Sequence, residues 1–189
     1  MIIPISSSGQ QVLFSIRSAP MLLPILKYGA PELKAVNKPV DFFNGELEKI
    51  AKNMIETMYA ASGVGLAAPQ VGINIRLTTV DLSVGEDAGQ LIAICNPEIV
   101  SMEGEQKSEE GCLSIPDFTG AIVRPSKITL HGQDINGAEI KIEADGLMAR
   151  CLSHEIDHLQ GILFIDRLSA LKRSLIKNKI KKLAKSGEW

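Results

Sequence analysis

Cysteine and histidine are both scarce in this chain, which has three of each in 189 residues. An odd and low number of cysteines excludes the disulfide framework of a small secreted domain and favours a reducing compartment. No apolar run is long enough to span a membrane or to form a secretory signal core. The sequence therefore predicts a cytoplasmic protein, and DNA is not an expected partner.

The chain also lacks internal repeats, low-complexity segments and an interdomain linker. Its apolar content of 45% is enough to bury one core, so residues 21–189 are predicted to form a single domain. Residues 1–20 hold one Arg, no acid and five Ser, and we interpret them as an N-terminal extension. An organellar transit peptide is the alternative, which a single cation supports only weakly.

Two of the three histidines, His154 and His158, are four positions apart. The apolar spacing predicts a helix that begins at Asp145-Gly146 and stops at Gly161, so both imidazoles project from one face. On that helix Glu155 is rotated by about 100° from His154, which places its carboxylate beside a shared ion without ligating it. The pattern indicates a divalent metal site with a general base next to it.

The third ligand separates the families of metal-dependent hydrolases. Phe164 stands where one large protease family has its third histidine, and Asp166 is the only acid between His158 and Glu188, which disfavours a downstream Glu ligand. Among the three cysteines, Cys112 follows Gly111 and an acid-rich polar run, whereas Cys95 lies in an apolar strand-like run. We therefore choose Cys112. His131, on a strand with Ile128 and Leu130 facing inward, is expected to point outward and to bind no metal.

Three segments resemble, in order and separation, the signature motifs of the peptide deformylase family. They are Gly63–Gln70 (GVGLAAPQ), Glu110–Ser114 (EGCLS) and His154–His158 (HEIDH). The resemblance runs from about Met21 to the C-terminus. It implies an α+β fold, an Fe²⁺ cofactor that Zn²⁺, Ni²⁺ or Co²⁺ can replace, and removal of the formyl group from nascent N-formylmethionyl chains.

The chemistry follows from this ligand set. A metal held by Cys112, His154 and His158 keeps an open position for water and lowers its pKa, and Glu155 then acts as general base and general acid. By resemblance, the Gln70 amide and the Leu113 backbone N–H stabilise the oxyanion.

Substrate binding is expected to depend mainly on the backbone, which tolerates many peptide sequences. The resemblance implies main-chain pairing with Val64, Gly65 and Gly111. It also implies a methionine pocket lined by Val64, Leu147, Cys151 and the flank of His154. Two positions depart from the commoner aliphatic pocket pattern, Ser108 and Arg150, and we expect Arg150 to lie at the rim with its charged head in water.

The remaining pattern predicts short mixed or antiparallel sheets around the central metal-binding helix. An amphipathic helix is predicted over residues 44–62, ending at Gly63. Strands are predicted over residues 77–80, 91–95, 99–101, 128–134 and 138–142. The last two are joined by Asn136-Gly137, a signal for a two-residue hairpin turn.

Charge is segregated at the C-terminus. Residues 166–189 hold eight Lys or Arg against two acids, a net charge of +6, whereas residues 1–165 carry −8. Helical spacing of Leu168, Leu171, Leu175, Ile176, Ile180 and Leu183 predicts a basic amphipathic helix. A solvated face and a membrane-surface helix are alternatives. The segregation favours a polyanionic partner, and the family resemblance implies the ribosome.

Two other functions remain open from the residues. A general metallopeptidase would cleave internal amide bonds, and a non-catalytic ribosome-associated module would keep the basic helix with a degenerate site. The presence of Glu155, Gln70 and Cys112 argues against the second.

Overall fold

The computed structural model describes residues 21–189 and has the predicted α+β architecture, with all seven strands before the helix that carries His154 and His158. The predicted extension at residues 1–20 lies outside the described residues. The helices are α1 Gly45–Ala60, α2 Gly146–Leu159 and α3 Ala170–Ser186. The strands are β1 Gly65–Ala67, β2 Leu77–Val80, β3 Ile92–Glu103, β4 Gln106–Cys112, β5 Ile115–Arg124, β6 Lys127–Gln133 and β7 Glu139–Asp145.

The named strands form two antiparallel sheets. Five of them pair in the order β1-β2-β3-β6-β7, and β4 pairs with β5 as a separate hairpin. On β6, Ile128 and Leu130 are buried while His131 is exposed, as the period of two predicts. The β4–β5 hairpin was not predicted, because the residues of β4 before Glu110 are polar and mostly exposed and so show no apolar alternation.

Two of the predicted strands, residues 91–95 and 99–101, are parts of the single strand β3. The sequence reads as two strands because Asn96 and Pro97 interrupt it, and the pairing register with β6 shifts between Cys95 and Glu98. Pro97 has no backbone N–H to give to a ladder, and Asn96 has a positive φ of 51°. Cys95 is fully buried on this strand, as expected.

The hairpin between β6 and β7 is confirmed, but its turn is one residue longer than predicted. Asp134 and Ala138 are bonded through their backbones, which leaves Ile135, Asn136 and Gly137 in the loop. A type I′ turn needs positive φ at both central residues, and here Gly137 has it, at 86°, while Asn136 does not. The Asp134 carboxylate instead accepts the backbone N–H groups of Asn136 and Ala138 and fixes the longer loop.

Helix α2 lies at the centre of the molecule. Every residue from Ala149 to Leu159 is buried. Its apolar side packs with β2, β3 and β6 in one core cluster, through residues such as Leu152 and Ile156. Helix α1 begins at Asn44, whose side chain accepts the N–H groups of Glu46 and Leu47, and packs in a second cluster. The segment His154–His158 is therefore held on a helix that is buried along most of its length.

The C-terminal helix is shorter and less amphipathic than predicted. Helix α3 begins at Ala170, with Ser169 as its N-cap, after a 3-10 turn at Phe164–Arg167. Ile180 is buried, but Leu171 and Leu175 are 72% and 62% exposed because they turn away from the core contact. Among the described helices, none combines the length and apolar content needed to cross a membrane.

Candidate metal centre

The candidate ligands come from two elements that meet at α2. Cys112 is the last residue of β4, and the turn Leu113-Ser114 leads directly into β5. Its Sγ lies 3.2 Å from Nε2 of His158, and the two imidazole rings of α2 have centroids 5.0 Å apart. Within residues 21–189, this is the one group of three such side chains whose ligand atoms all lie within 4.8 Å of one another.

These three atoms fit a common ion. Metal–sulfur bonds of about 2.3 Å and metal–nitrogen bonds of about 2.0 Å put tetrahedral ligands roughly 3.5 Å apart. The donor set of one thiol and two imidazoles suits transition metals rather than Mg²⁺ or Ca²⁺, which prefer oxygen. Burial lowers the pKa of His158 well below its usual value, so this ring is neutral and free to coordinate.

A carboxylate fixes the orientation of His154. Nδ1 of His154 donates to Glu110 Oε2 at 3.1 Å, and this leaves Nε2 for a metal. Burial lowers the pKa of His154, but hydrogen bonds to Cys112 and Glu110 outweigh it and raise the pKa to about 10. A metal must therefore displace a proton from this ring.

Glu155 has the properties of a general base. The side chain is buried, and Oε2 has no hydrogen-bond partner among the described residues. Burial raises its pKa to about 7, where a carboxylate can both accept and return a proton near neutral pH. Gly65 lies against this carboxylate, and a Cβ at position 65 would lie 2.9 Å from its Cδ.

The Gln70 amide is aimed at the same place. Gln70 is 1% exposed, so it is not a solvated loop residue. Its Oε1 accepts the backbone N–H of Ala67 at 2.8 Å, and this assigns the other atom as nitrogen. Nε2 then points at Cys112 Sγ, 3.5 Å away, and at Ser114 Oγ, 3.3 Å away. Leu113 follows the cysteine and lines the same cleft.

Behind the ligands lies a buried charged cluster that the sequence analysis missed. Arg124 donates to both oxygens of Glu110 at 2.9 Å, and its Nη1 donates to Asp157 at 2.5 Å. Burial raises the pKa of Glu110, but hydrogen bonds to His154 and Arg124 outweigh it and bring the pKa to about 2. Glu110 and Asp157 lie inside the quoted motifs, whereas nothing in the sequence marks Arg124, which lies twelve residues after Cys112.

The prediction that Arg150 lies at the rim with its charge in water is wrong. Its side chain is buried, and Nη1 donates to Glu110 Oε1 at 2.5 Å and to the Ile122 carbonyl. Nη2 donates to the Gln106 carbonyl. An ion pair and two carbonyl acceptors stabilise the buried guanidinium. An arginine on an apolar pocket wall would lack these partners and would keep its charge in water. Ser108 is exposed on β4 and does not line the cleft.

The site opens into a cleft of about 420 Å³. All of the sequence-predicted substrate-binding residues line it, namely Val64, Gly65, Gly111, Leu147 and Cys151. Leu147 is 57% exposed, so it forms part of the entrance, while Cys151 is buried at the base of the wall. Phe118 and Thr119 of β5 also line the cleft.

Comparison with known proteins identifies the family. Residues 22–174 match the family model described as polypeptide deformylase. A peptide deformylase of Thermodesulfovibrio yellowstonii is 53% identical over 85% of this chain and 97% of its own, and one of Acidobacterium capsulatum is 47% identical over 89% and 99%. A crystal structure of a peptide deformylase from Legionella pneumophila superposes with a TM-score of 0.82, at 42% identity, over 88% of this chain and 98% of its own.

Proposed function

The chain belongs to the polypeptide deformylase family, and from this premise we propose how its residues carry out the reaction. The enzyme is a metal-dependent hydrolase that removes the formyl group from N-formylmethionyl nascent peptides and releases formate. We propose residues 21–189 as one catalytic domain. The observation that carries the assignment of residues is the convergence of Cys112, His154 and His158 beside the unpartnered carboxylate of Glu155.

The three ligand atoms would hold one divalent metal, for which we propose Fe²⁺, with Zn²⁺, Ni²⁺ or Co²⁺ able to replace it. A thiolate and two imidazoles suit all four ions. Bound there, the metal supplies a Lewis acid that acidifies water and polarises the formyl oxygen.

Glu155 moves the proton. Its carboxylate accepts a proton from the water that attacks the formyl carbon, and it returns that proton to the amine as the carbon–nitrogen bond breaks. A pKa of about 7 suits both steps. The products are formate and a peptide with a free amino terminus. The Glu155 carboxylate ends each turnover in its starting protonation state.

Two donors stabilise the charge that develops on the formyl oxygen. The Gln70 Nε2 is held in place from behind by Ala67, and the Leu113 backbone N–H belongs to the turn beside Cys112. Preorganised donors of this kind cost no reorganisation during the reaction, and one is worth about 3 to 4 kcal/mol.

The peptide main chain is proposed to pair with Val64, Gly65 and Gly111, and the methionine side chain to enter between Leu147 and Cys151. Backbone pairing tolerates any sequence after the methionine. This suits an enzyme that must act on many different nascent chains.

Formate release tests this function. Metal-loaded protein purified without oxygen is expected to release formate from formyl-Met-Ala. It is not expected to cleave the internal amide bonds of a peptide whose N-terminus is acetylated. Glu155→Gln is expected to keep one metal per chain and to lower kcat by at least about 10²-fold. Cleavage of the acetylated peptide would instead indicate a general metallopeptidase, and metal analysis of the same sample identifies the ion.

We also propose a cytoplasmic location and docking on the ribosome through α3, where the substrate emerges. Four of the exposed lysines of this helix are Lys172, Lys177, Lys181 and Lys182. Replacing these four by Glu is expected to abolish cosedimentation with ribosomes, because binding to phosphate groups requires positive charge. The assay uses low salt because salt screens such contacts. The matched control replaces four exposed lysines elsewhere, Lys38, Lys49, Lys107 and Lys141. Equal cosedimentation of both variants would contradict the docking proposal.

A further inference from the structure

The two candidate histidine ligands differ in what holds the ring nitrogen that faces away from the metal. In His154, Nδ1 meets the Glu110 carboxylate at 3.1 Å. In His158, Nε2 lies 3.2 Å from Cys112 Sγ and so faces the shared ion, while Nδ1 is buried and has no hydrogen-bond partner among the described residues. A neutral ring that coordinates through Nε2 carries its proton on Nδ1. His158 therefore needs an acceptor for this proton, as metal-bound histidines usually have.

A complementary group lies beside His158. Asn37 is 4% exposed, and its Oδ1 also lacks a hydrogen-bond partner within residues 21–189. Its Nδ2 faces three carbonyl oxygens, of Ala35 at 3.2 Å, Leu159 at 3.3 Å and His158 at 3.4 Å. Carbonyls only accept, so the nitrogen occupies that side of the amide and Oδ1 occupies the other. A buried acceptor without a donor therefore lies against the residue that has a buried donor without an acceptor.

The segment that carries Asn37 is fixed against α2 and the sheet. The backbone N–H of Asn37 donates to the Leu159 carbonyl at 3.2 Å. Three residues further on, the backbone of Val40 exchanges two hydrogen bonds with the side chain of Asn96 on β3, at 2.8 and 2.9 Å. The amide is therefore held in place by bonds that do not involve the metal ligands' rings, as a group that orients a ligand must be.

We infer that Asn37 is a positioning residue for His158 and that one buried water joins them. The water accepts the Nδ1–H of the ring and donates a hydrogen to Asn37 Oδ1, so both unpartnered atoms are satisfied. Such a bridge spans about 5 to 6 Å, which is two hydrogen bonds of ordinary length. It fixes the tautomer and the orientation of the imidazole, as Glu110 does for His154. The inference rests on the proposed function, because it gives Nε2 of His158 to the metal.

Asn37 also has a structural role, which the experiment must separate from this one. Its Nδ2 meets carbonyls of the last turn of α2, where no further turn of helix supplies donors. Asn37→Ala loses both this donor and the acceptor, whereas Asn37→Asp loses the donor and keeps an oxygen in the place of Oδ1. Without metal, both variants are therefore expected to unfold at lower urea concentrations than the wild type. Only Asn37→Ala is expected to weaken metal binding.

Affinity for Zn²⁺ is the first readout. Competition with a chelating indicator measures the Kd of each metal-free variant. Asn37→Ala is expected to raise the Kd about tenfold, as removal of a group that orients a metal ligand does, while Asn37→Asp should stay within about threefold of the wild type. The control is Asn53→Ala, which removes a buried asparagine of α1 that does not line the cleft. It should keep the wild-type Kd.

The imidazole protons of the wild-type protein give a readout that needs no variant to fold. The chain has three histidines, so Zn²⁺-loaded protein labelled with nitrogen-15 gives three imidazole signals to assign by NMR. His158 is expected to carry its proton on Nδ1 and to show a nuclear Overhauser effect from this proton to a bound water. The exposed ring of His131 is the internal control and should show no such bound water.

The outcomes separate this inference from the proposed function. An unchanged Kd in Asn37→Ala, or an equal loss in Asn37→Ala and Asn37→Asp, would overturn the role of Asn37 and leave deformylation intact. A proton on Nε2 of His158, or no contact between its Nδ1–H and water, would overturn it as well. Expected Kd values and NMR signals without release of formate from formyl-Met-Ala would instead count against the proposed function and leave the role of Asn37 standing.

Discussion

Arg150 Nη1 lies 2.5 Å from Oε1 of Glu110, the carboxylate whose other oxygen accepts from His154. The same guanidinium donates to carbonyls of β4 and β5, so it ties the hairpin that carries Cys112 to the helix that carries both histidines. A buried ion pair therefore helps to hold the metal ligands at their separation. Four donors meet the two oxygens of Glu110, which leaves the carboxylate fully satisfied.

Replacing Arg150 is expected to loosen this connection. Arg150→Met removes one charge of a buried cluster and one hydrogen-bond donor from each of two carbonyls, so the free energy of unfolding should fall by about 3 kcal/mol. Arg150→Lys should recover little of this loss, because an ammonium cannot reproduce the planar arrangement of donors. Urea denaturation of the metal-loaded protein measures both effects. Lys141→Met, which breaks an exposed ion pair with Glu143, is the control and should leave the free energy of unfolding nearly unchanged, because water and salt screen such a pair.

The Glu110 carboxylate makes the stability of the metal-free protein depend on pH. Its pKa falls from 4.5 to about 2 in the folded state, so its contribution is present above pH 4.5 and is lost as the pH falls towards 2. The loss is on the order of 3 kcal/mol. His154 is protonated throughout this window in both states and adds no slope.

In Glu110→Gln the free energy of unfolding is therefore expected to fall less steeply as the pH is lowered from 5 to 3. Urea denaturation of chelator-treated protein measures it. Glu109→Gln removes the adjacent, exposed carboxylate of β4 and serves as the control. If the free energy of unfolding falls as steeply in Glu110→Gln as in the wild type, other carboxylates cause the loss of stability at low pH.

The sequence predicted the elements that have a clear period or a motif. The helix spacing of His154 and His158 and the alternation on β6 led directly to α2 and to its neighbouring strand. The β4–β5 hairpin escaped prediction because β4 is solvated before Glu110, and the burial of Arg150 escaped because it depends on carbonyls of Gln106 and Ile122. Long-range pairing of a charged side chain leaves no trace in local spacing.

Gln70 offers a test of the oxyanion site. Gln70→Glu keeps the acceptor for the Ala67 N–H and removes the amide donor, so kcat for formyl-Met-Ala should fall about 10²-fold to 10³-fold. Ser114→Ala removes the hydroxyl oxygen that accepts from Nε2 and should lower kcat by less than about tenfold, because a neutral hydrogen bond is worth about 1 kcal/mol. Similar losses in the two variants would mean that the amide only supports the turn.

Gly63 and Gly65 differ in the atoms that an added Cβ would contact. A Cβ at Gly65 would lie 2.9 Å from Cδ and 3.1 Å from Cγ of the buried Glu155 side chain. A Cβ at Gly63 would lie 2.8 Å from Cδ1 of Leu113, the end of a flexible side chain that can move aside. Neither glycine has a positive φ, so alanine fits both backbones and the substitution probes space alone.

Gly65→Ala is expected to lower kcat by about 10²-fold or more, because the general base is displaced while the metal ligands are untouched. Gly63→Ala should stay within about threefold of the wild-type kcat. Both variants are expected to retain one metal per chain by elemental analysis, which separates displacement of Glu155 from damage to the ligand set. Loss of metal from Gly65→Ala, or equal kcat values for the two variants, would contradict the idea that Gly65 is small in order to seat the Glu155 carboxylate.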